Sequence, residues 1–139
     1  MIGKLREYMN LCPLFEGKRI NSDFLSEKAE SFAIYAEDGE VVIKEYASGD
    51  CLKQFVFSLR YRAPYGADAR ENDKMSAFFA GVADWIGKNN EKGFFPDLGE
   101  EKSLQSIEVL KNAHIRNTNV SDCVYEMKMR AVYYQTCRL

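Results

Sequence analysis

The feature that most limits the fold of this chain is a two-residue alternation in segment 122–136. Its apolar side consists of Cys123, Tyr125, Met127, Met129, Ala131 and Tyr133. Its polar side consists of Glu126, Lys128 and Arg130. Successive side chains of a strand point to opposite faces of a sheet, so this pattern predicts a β-strand with one face on a core.

A second alternation, in segment 51–62, predicts another strand of the same kind. Here Phe55, Phe57, Leu59 and Tyr61 alternate with Gln54, Ser58, Arg60 and Arg62. Shorter β patterns cover 31–37, 40–47 and 103–115, and a short strand is expected within 19–25. The dipeptide Asp38-Gly39 is typical of a two-residue hairpin turn, and Ser48-Gly49-Asp50 predicts a second turn. Segment 31–62 is therefore expected to form a meander of three antiparallel strands.

Two segments carry the three- and four-residue spacing of a helix. The first covers 2–11, and Pro13 ends it. The second runs from an expected N-cap at Asp68 to about residue 88, with an apolar stripe of Met75, Phe78, Phe79, Val82, Trp85 and Ile86. The order of elements predicts a single α+β domain over residues 1–139. We expect a two-layer sandwich, in which one long and one short helix pack on a mainly antiparallel sheet of four to five strands.

Composition limits where the chain can be located and which class of partner it is expected to bind. A chain of 139 residues, 46% of them hydrophobic, can bury a core without disulfides. No apolar signal segment opens it, and its best apolar stretch, 77–86, is interrupted by Asp84, so we expect no membrane span and a cytoplasmic location. The cysteines Cys12, Cys51, Cys123 and Cys137 form no CxxC pair and are expected to be free thiols. A net charge of −2 lacks the basic excess of nucleic-acid-binding modules.

The sequence carries no recognised catalytic motif. It has no glycine-rich phosphate loop, no nucleophile elbow and no HExxH pair. The single histidine, His114, could act as a base for Cys123 across the final hairpin, but Cys123 lies on the apolar side of its strand. The acidic group Asp97, Glu100 and Glu101 is more typical of a solvated loop than of a metal site. The sequence therefore predicts no catalytic residue, no cofactor and no metal.

Two other features are typical of contact surfaces. The first is the loop with Phe94, Phe95 and Leu98, since adjacent aromatic residues in a connection are difficult to bury together. The second is a row of cations on the polar side of the two alternating strands, formed by Arg60, Arg62, Lys128 and Arg130. As an interface, the row would meet acidic residues of a neighbouring subunit. The loop could instead cover one end of the core, and the row could be a solvated sheet face.

Several short segments, taken in order, resemble one protein family. They are Lys4-Leu5-Arg6-Glu7-Tyr8, Cys12-Pro13-Leu14, Tyr65-Gly66-Ala67-Asp68, the helix with Phe78 and Trp85, Pro96-Asp97-Leu98-Gly99, Gln105-Ser106-Ile107-Glu108-Val109-Leu110 and Val132-Tyr133-Tyr134-Gln135. Together they are similar to small proteins encoded in the structural-gene blocks of tailed phages and prophages of Gram-positive bacteria. Members are labelled minor capsid or minor tail proteins, and some carry a chloramphenicol-resistance label.

The resemblance implies a structural protein of the tail-terminator or head–tail completion type, and not an enzyme. Such subunits form a ring, typically a hexamer, that caps the tail tube. The implied partners are other copies of the chain, the tail-tube protein and the head connector, with DNA passing through the ring. The chain would lie in the host cytoplasm during assembly and in the virion afterwards. Two alternatives remain open: a drug acyltransferase with His114 as its base, and a small protein- or nucleic-acid-binding module that uses Arg60, Arg62 and Arg70.

Overall fold

The computed structural model describes residues 1–15, 20–22, 31–63, 69–118 and 123–136, with their side chains except at 38, 39, 63, 69–72, 115–118 and 123. The helices are α1 (Ile2–Asn10) and α2 (Ala69–Lys92), and a 3₁₀ helix (Pro13–Phe15) follows α1. The strands are β1 (Ile20–Ser22), β2 (Ser31–Glu45), β3 (Cys51–Ala63), β4 (Lys102–Thr118) and β5 (Cys123–Gln135). The predicted N-cap Asp68 and the side chain of Arg70 lie outside this description.

Within these ranges the strands form one sheet in the order β1-β2-β3-β5-β4. β1 pairs with β2 in parallel, and the other neighbouring strands pair in antiparallel fashion. Buried side chains of α1 and α2 join one apolar cluster with one face of this sheet. The predicted fold class, a two-layer α+β sandwich with a mainly antiparallel sheet and one long and one short helix, is confirmed.

The strand β5 comes last in chain order but lies between β3 and β4. It pairs with both neighbours over its whole length, from Cys123 to Gln135. On the face away from the helices, Val124 and Val132 are only 4% and 8% exposed. A central position therefore buries apolar residues on both sides of a strand that the sequence indicates to be amphipathic.

The alternation predicted for the two long strands is confirmed by burial. The buried side chains on the helix-facing side of β3 and β5 are Phe55, Phe57, Leu59, Tyr61, Tyr125, Met127, Met129, Ala131 and Tyr133. From the helices, the same cluster receives Leu5, Tyr8, Met9, Met75, Phe79, Val82 and Ile86. Phe78 and Trp85, the other members of the predicted α2 stripe, are partly buried against this core. The helical spacing therefore predicted the buried face of α2 correctly.

The predicted hairpin at Asp38-Gly39 is wrong, because β2 runs through this dipeptide as one strand. Residues on both sides of it pair with β3: Ala36 lies opposite Phe57, and Gly39 lies opposite Val56. Positions 37 and 38 are therefore extra residues, which make a bulge rather than a turn. A continuous ladder along the 13 residues of β3 pairs more backbone groups than a separate short hairpin would. The predicted three-strand meander is thus a two-strand hairpin.

Helix α2 continues beyond its predicted end, to Lys92. Gly93 follows with a φ of 69°, the left-handed conformation that favours glycine after a helix. The side chain of Asn90 joins this last turn to β4, because it donates to the Ile107 carbonyl oxygen at 2.8 Å and accepts from the Ile107 amide at 3.1 Å. These two bonds stabilise a turn that contains poor helix formers.

Gly87→Ala is expected to stabilise the protein by up to about 1 kcal/mol, because alanine is the better helix former. Gly87 is exposed in α2, and an added methyl group would meet no atom within 4 Å. Urea unfolding of both proteins measures the difference in free energy of unfolding. Gly93→Ala is the matched control: at its φ of 69° the same change should cost about 1–2 kcal/mol. Equal effects of the two substitutions would contradict the prediction.

Candidate interaction surfaces

A groove of about 360 Å³ lies between α1 and the segment that follows α2, and we call it the apolar groove. It is lined by the apolar or aromatic residues Tyr8, Leu11, Phe94, Phe95 and Pro96 and by the charged residues Lys4, Glu7 and Asp97. Its most open side chains are Leu11 and Phe94, which are 61% and 47% exposed. Large apolar side chains exposed side by side are a common sign of an interface.

The end of α2 holds Phe94 in the apolar groove. The Phe94 amide donates to the Asn89 carbonyl oxygen at 2.9 Å, and its ring centroid lies 6.2 Å from that of Tyr8. The Asn89 side chain donates to the Tyr8 hydroxyl at 3.1 Å. Burial raises the pKa of Tyr8, an effect that the hydrogen bond from Asn89 opposes. Tyr8 therefore stays neutral near pH 7 and forms an uncharged floor of the groove.

The rest of the predicted contact loop turns toward the core. The Asp97 carboxylate accepts a hydrogen bond from the Gly99 amide at 2.9 Å, and Gly99 has a φ of 105°. Phe95 and Leu98 are partly buried and pack against the core. Of the adjacent aromatic pair, Phe94 is thus the open member. The loop both covers one end of the core and presents an apolar surface.

Arg60 lies on the face of the sheet away from the helices. Its side chain belongs to a network of hydrogen bonds and ion pairs within its own chain. Its Nε donates to Glu126 at 2.8 Å, and its Nη2 donates to Glu37 at 3.3 Å. The guanidinium lies 4.0 Å from the ring centroid of Tyr35, within the range of a cation–π interaction. The Arg60 side chain is only 13% exposed. Its charge is therefore satisfied within the subunit.

The bulge in β2 explains why Glu37 takes part in this network. An extra residue in a bulged strand redirects a side chain, and here the Glu37 carboxylate points to Ser58 as well as to Arg60. The Ser58 hydroxyl donates to it at 2.7 Å, and Ser58 is completely buried. A feature that the sequence predicted to be a turn therefore supplies one of the two carboxylates around Arg60.

Arg130 is also paired within the chain. Its Nε donates to Glu108 at 2.6 Å, and its Nη1 donates to the Gln54 side-chain oxygen at 3.1 Å. Glu108 belongs to β4 and lies directly opposite Arg130 in the ladder. The carboxylate that pairs with Arg130 therefore comes from a neighbouring strand of the same chain. The sequence had suggested acidic residues of a neighbouring subunit instead.

The other two cations of the predicted row occupy the same face. Arg62 lies opposite Val124 and has interactions within the chain. Lys128 is half-buried and lies opposite Ser58 on one side and Lys111 on the other. The row therefore exists as predicted, but intramolecular pairs around Arg60 and Arg130 make it a weaker interface candidate than the apolar groove.

A second apolar surface lies in residues 40–46, which we call the β2 arm. Val41, Val42 and Ile43 are 45%, 46% and 46% exposed, and Tyr46 is 36% exposed. Since β1 pairs only with residues 32–34 of β2, the outer edge of the arm has no strand partner among the described residues. The sequence pattern of 40–47 predicts a strand, but it was not interpreted as a contact surface. The available signal was three consecutive apolar residues, which a strand with one buried face cannot all bury.

The far end of the β2 arm is held by the turn predicted at 48–50, which is confirmed. Gly49 has a φ of 92°, and the Tyr46 amide donates to the Asp50 carbonyl oxygen at 2.9 Å. The Tyr46 ring lies 5.7 Å from the Tyr134 ring. The Tyr134 hydroxyl donates to the Asp50 carboxylate at 2.5 Å, and this hydrogen bond raises the pKa of Tyr134 to about 12.

An ion pair between Lys102 and Glu40 holds the near end of the arm. The Lys102 ammonium lies 3.4 Å from the Glu40 carboxylate and 5.5 Å from the ring centroid of Tyr133. Partial burial opposes ionisation of Glu40, but Tyr133 and Lys102 together lower its pKa. Glu40 therefore stays charged near pH 7 and links the arm to the start of β4.

The pairing of β4 with β5 separates the two residues of the possible cysteine–histidine pair. His114 lies opposite Glu126, with its Nε2 4.0 Å from the carboxylate, whereas Cys123 lies opposite Thr118. The expectation that Cys123 could face His114 across the hairpin is therefore wrong. Four pairing positions of β4, with one bulge between Ile115 and Asn117, separate His114 from the partner of Cys123.

The remaining described thiols show no sign of a nucleophile. Cys12 and Cys51 are free, as predicted. Burial raises the pKa of the Cys12 thiol, the opposite of what a reactive thiolate requires. Among the described residues, no group of three or more His, Cys, Asp or Glu side chains is placed to hold a metal.

A second cavity, of about 380 Å³, lies between α2 and β4. Its polar lining consists of Ser76, Asp84 and Asn112, and neither His114 nor a cysteine lines it. Acyl transfer to a drug hydroxyl requires a base beside the bound hydroxyl, most often a histidine. This cavity therefore gives the acyltransferase alternative no support.

Comparison with known proteins adds little to these surfaces. No protein-family model matches the sequence, and no curated protein matches it. One similar solved structure aligns with 99% of the chain and 91% of the other protein, at a TM-score of 0.48 and 12% sequence identity. A likeness of this degree carries no argument. In the described ranges, no helix combines the length and the apolar character that a membrane span needs.

Proposed function

We propose that this chain is a ring-forming structural subunit of a tailed phage or prophage, which caps the tail tube as a tail terminator and completes its joint with the head. The observation that carries the proposal is the pair of apolar surfaces on separate elements, the apolar groove and the β2 arm. A ring requires a heterologous interface, in which one patch of each subunit meets a different patch of the next. The family resemblance of the sequence agrees with this function.

The mechanism is geometric. A closed ring of copies presents one face to the open end of the tail tube, which stops the addition of further tube subunits, and it offers its other face to the head connector. No bond is made or broken in such a role. The function therefore depends on surfaces of the subunit rather than on a catalytic group.

The nucleic-acid alternative draws less support from the charges. A single-strand platform needs cations and aromatic rings that are free on one exposed face. Arg60 and Arg130 are engaged by carboxylates of the same chain, and the net charge is −2. A basic binding track would have to be built from other residues.

The proposal is tested at the tail end. Purified protein is added to growing tail tubes assembled from the tube protein of the same genetic element, and the tubes are imaged by electron microscopy. We expect a ring at one end of each tube and an arrest of its elongation. Tubes that keep growing with bare ends would refute the tail-terminator function.

Two variants sharpen this test. Glu91→Lys is the matched control, because Glu91 is exposed on α2 and belongs to neither surface. It should cap tubes as the wild type does. Phe94→Asp places a charge in the apolar groove and should lose capping while the protein stays folded, as judged by circular dichroism.

A further inference from the structure

The irregular pairings of the sheet occur where its outer strands meet its centre. The central strands β3 and β5 pair one to one over all 13 residues of β3, and their ladder has no register shift. The pairing of β2 with β3 shifts at two places, and the pairing of β4 with β5 shifts at four. The bulges therefore lie in the strands that border the open edges of the sheet.

The longest of these edges belongs to β4. This strand has 17 residues and is the last in the order of the sheet. In the described part of the chain, no strand pairs with its outer side. Strands usually have about 3–10 residues, so β4 is unusually long for an edge. A long regular edge offers a row of backbone donors and acceptors with which another chain can pair.

The register identifies the residues that stand outside the β4 ladder. Gln105 and Leu110 each lie between two residues whose partners are consecutive in β5. Between Lys111 and His114, two residues face Met127 alone, and Ala113 is the one that packs against the core. Asn112 is therefore the extra residue there. The side chains of Gln105, Leu110 and Asn112 are all exposed.

The core of the protein does not need these extra residues. When they are left out, the remaining residues of β4 alternate between the two faces of the sheet without interruption. The residues that face the helices are then Leu104, Ile107, Val109 and Ala113, which are buried or packed against the core. A regular strand without the extra residues would place the same side chains in the core. The bulges therefore mainly change the outer edge of β4.

An interrupted edge is a poor template for a further strand. Each bulge bends the strand and breaks the even spacing of its backbone groups, so the ladder between the first two shifts is regular only from Ser106 to Val109. Leu110, 47% exposed, marks the end of this stretch. Lys111 follows it and lies opposite Lys128. Charged side chains, lysine above all, are a second feature that prevents pairing at natural sheet edges.

We infer that the bulges at Gln105, Leu110 and Asn112 guard the edge of β4, so that a second copy of the chain cannot add its own β4 as a further strand. The guard is a property of the isolated chain and does not depend on the proposed function. In a subunit that assembles through other surfaces, it prevents sheet extension from competing with the correct contact.

Deletion of the extra residues tests the guard. A double deletion of Leu110 and Asn112 makes one regular run from Ser106 to Ile115 and removes only exposed side chains. The matched control carries Leu110→Ser and Asn112→Ser, which removes the same side chains but keeps both bulges. Urea unfolding checks that each protein folds cooperatively. Sedimentation velocity over a concentration series then measures association, and hydrogen exchange read by mass spectrometry measures protection of residues 103–115.

The double deletion should associate at a concentration at least about tenfold lower than the wild type and the control. In the associated species the amides of 103–115 should exchange at least about tenfold more slowly, because a new strand covers them. Assembly through other surfaces would leave this exchange unchanged. A folded double deletion that associates no more than the control, or that associates without this protection, would overturn the inference. Protection of 103–115 through association of the wild type would overturn it as well.

Single deletions cover the case in which the double deletion does not fold. Deletion of Gln105, of Leu110 or of Asn112 alone lengthens a regular stretch of the ladder by less, so each should show the same two effects at a smaller size. A single deletion that folds and shows neither effect would count against the guard. If none of the deletions folds, the extra residues are required for folding itself, and their role as a guard is refuted.

Discussion

Phe57→Ala is expected to lower the free energy of unfolding by about 3–5 kcal/mol, the usual loss for a large aromatic side chain in a core. Phe57 is completely buried in β3 and lies opposite Met129 of β5. Its ring centroid lies 6.1 Å from that of Phe55. Alanine at this position would leave a cavity between the sheet and the helices that the surrounding strands can fill only in part. Urea unfolding at equilibrium measures the loss.

The control for this substitution is Val42→Ala on the β2 arm. Val42 is 46% exposed, so its truncation should change the free energy of unfolding by no more than about 0.5 kcal/mol. A loss at Phe57 that is no larger than the loss at Val42 would mean that the core does not lie between the sheet and the two helices.

Arg60→Met is expected to lower the free energy of unfolding by about 3 kcal/mol, because it leaves two poorly exposed carboxylates without their guanidinium. The Glu37 and Glu126 side chains are only 25% and 12% exposed. Methionine retains much of the aliphatic volume, so the loss reports mainly on charge. Urea unfolding again provides the measurement.

The double variant Arg60→Met with Glu126→Leu separates charge from packing. Removing both partners of an ion pair costs less than removing one, because no buried charge is left alone. We expect the double variant to be more stable than Arg60→Met, since Glu37 keeps its hydrogen bond from Ser58. If the double variant loses the sum of the two single losses, the pair does not act as a network.

The core could be predicted because its pattern is local. A two-residue period in β3 and β5 and a helical period in α2 each assign side chains to one face without knowledge of the partner element. Strand order carries no such local signal. The ion pairs of Arg60 join residues that are 23 and 66 positions apart, so they appear only when β2, β3 and β5 stand side by side.

The interaction surfaces could be predicted only in part, for a related reason. The aromatic loop was identified from Phe94 and Phe95, but which ring faces outward depends on the end of α2 and on contact with Tyr8 of α1. A strand over 40–47 was predicted, but the exposed surface of the β2 arm was not, because exposure depends on which other elements pack against the strand. The turn preference of Asp38-Gly39 was also overridden, because pairing with the long strand β3 continues β2 through this dipeptide to residues 40–45.

The position of β5 between β3 and β4 has a consequence for synthesis of the chain. During translation β3 and β4 leave the ribosome before β5, and each then lacks the partner that fills the gap between them. The sheet can close only when residues 123–135 become available, so its pairings are non-local and folding should be slow. Unpaired strands expose aggregation-prone edges in the meantime. A nascent chain stalled before β5 should therefore depend on chaperones more than the finished protein does.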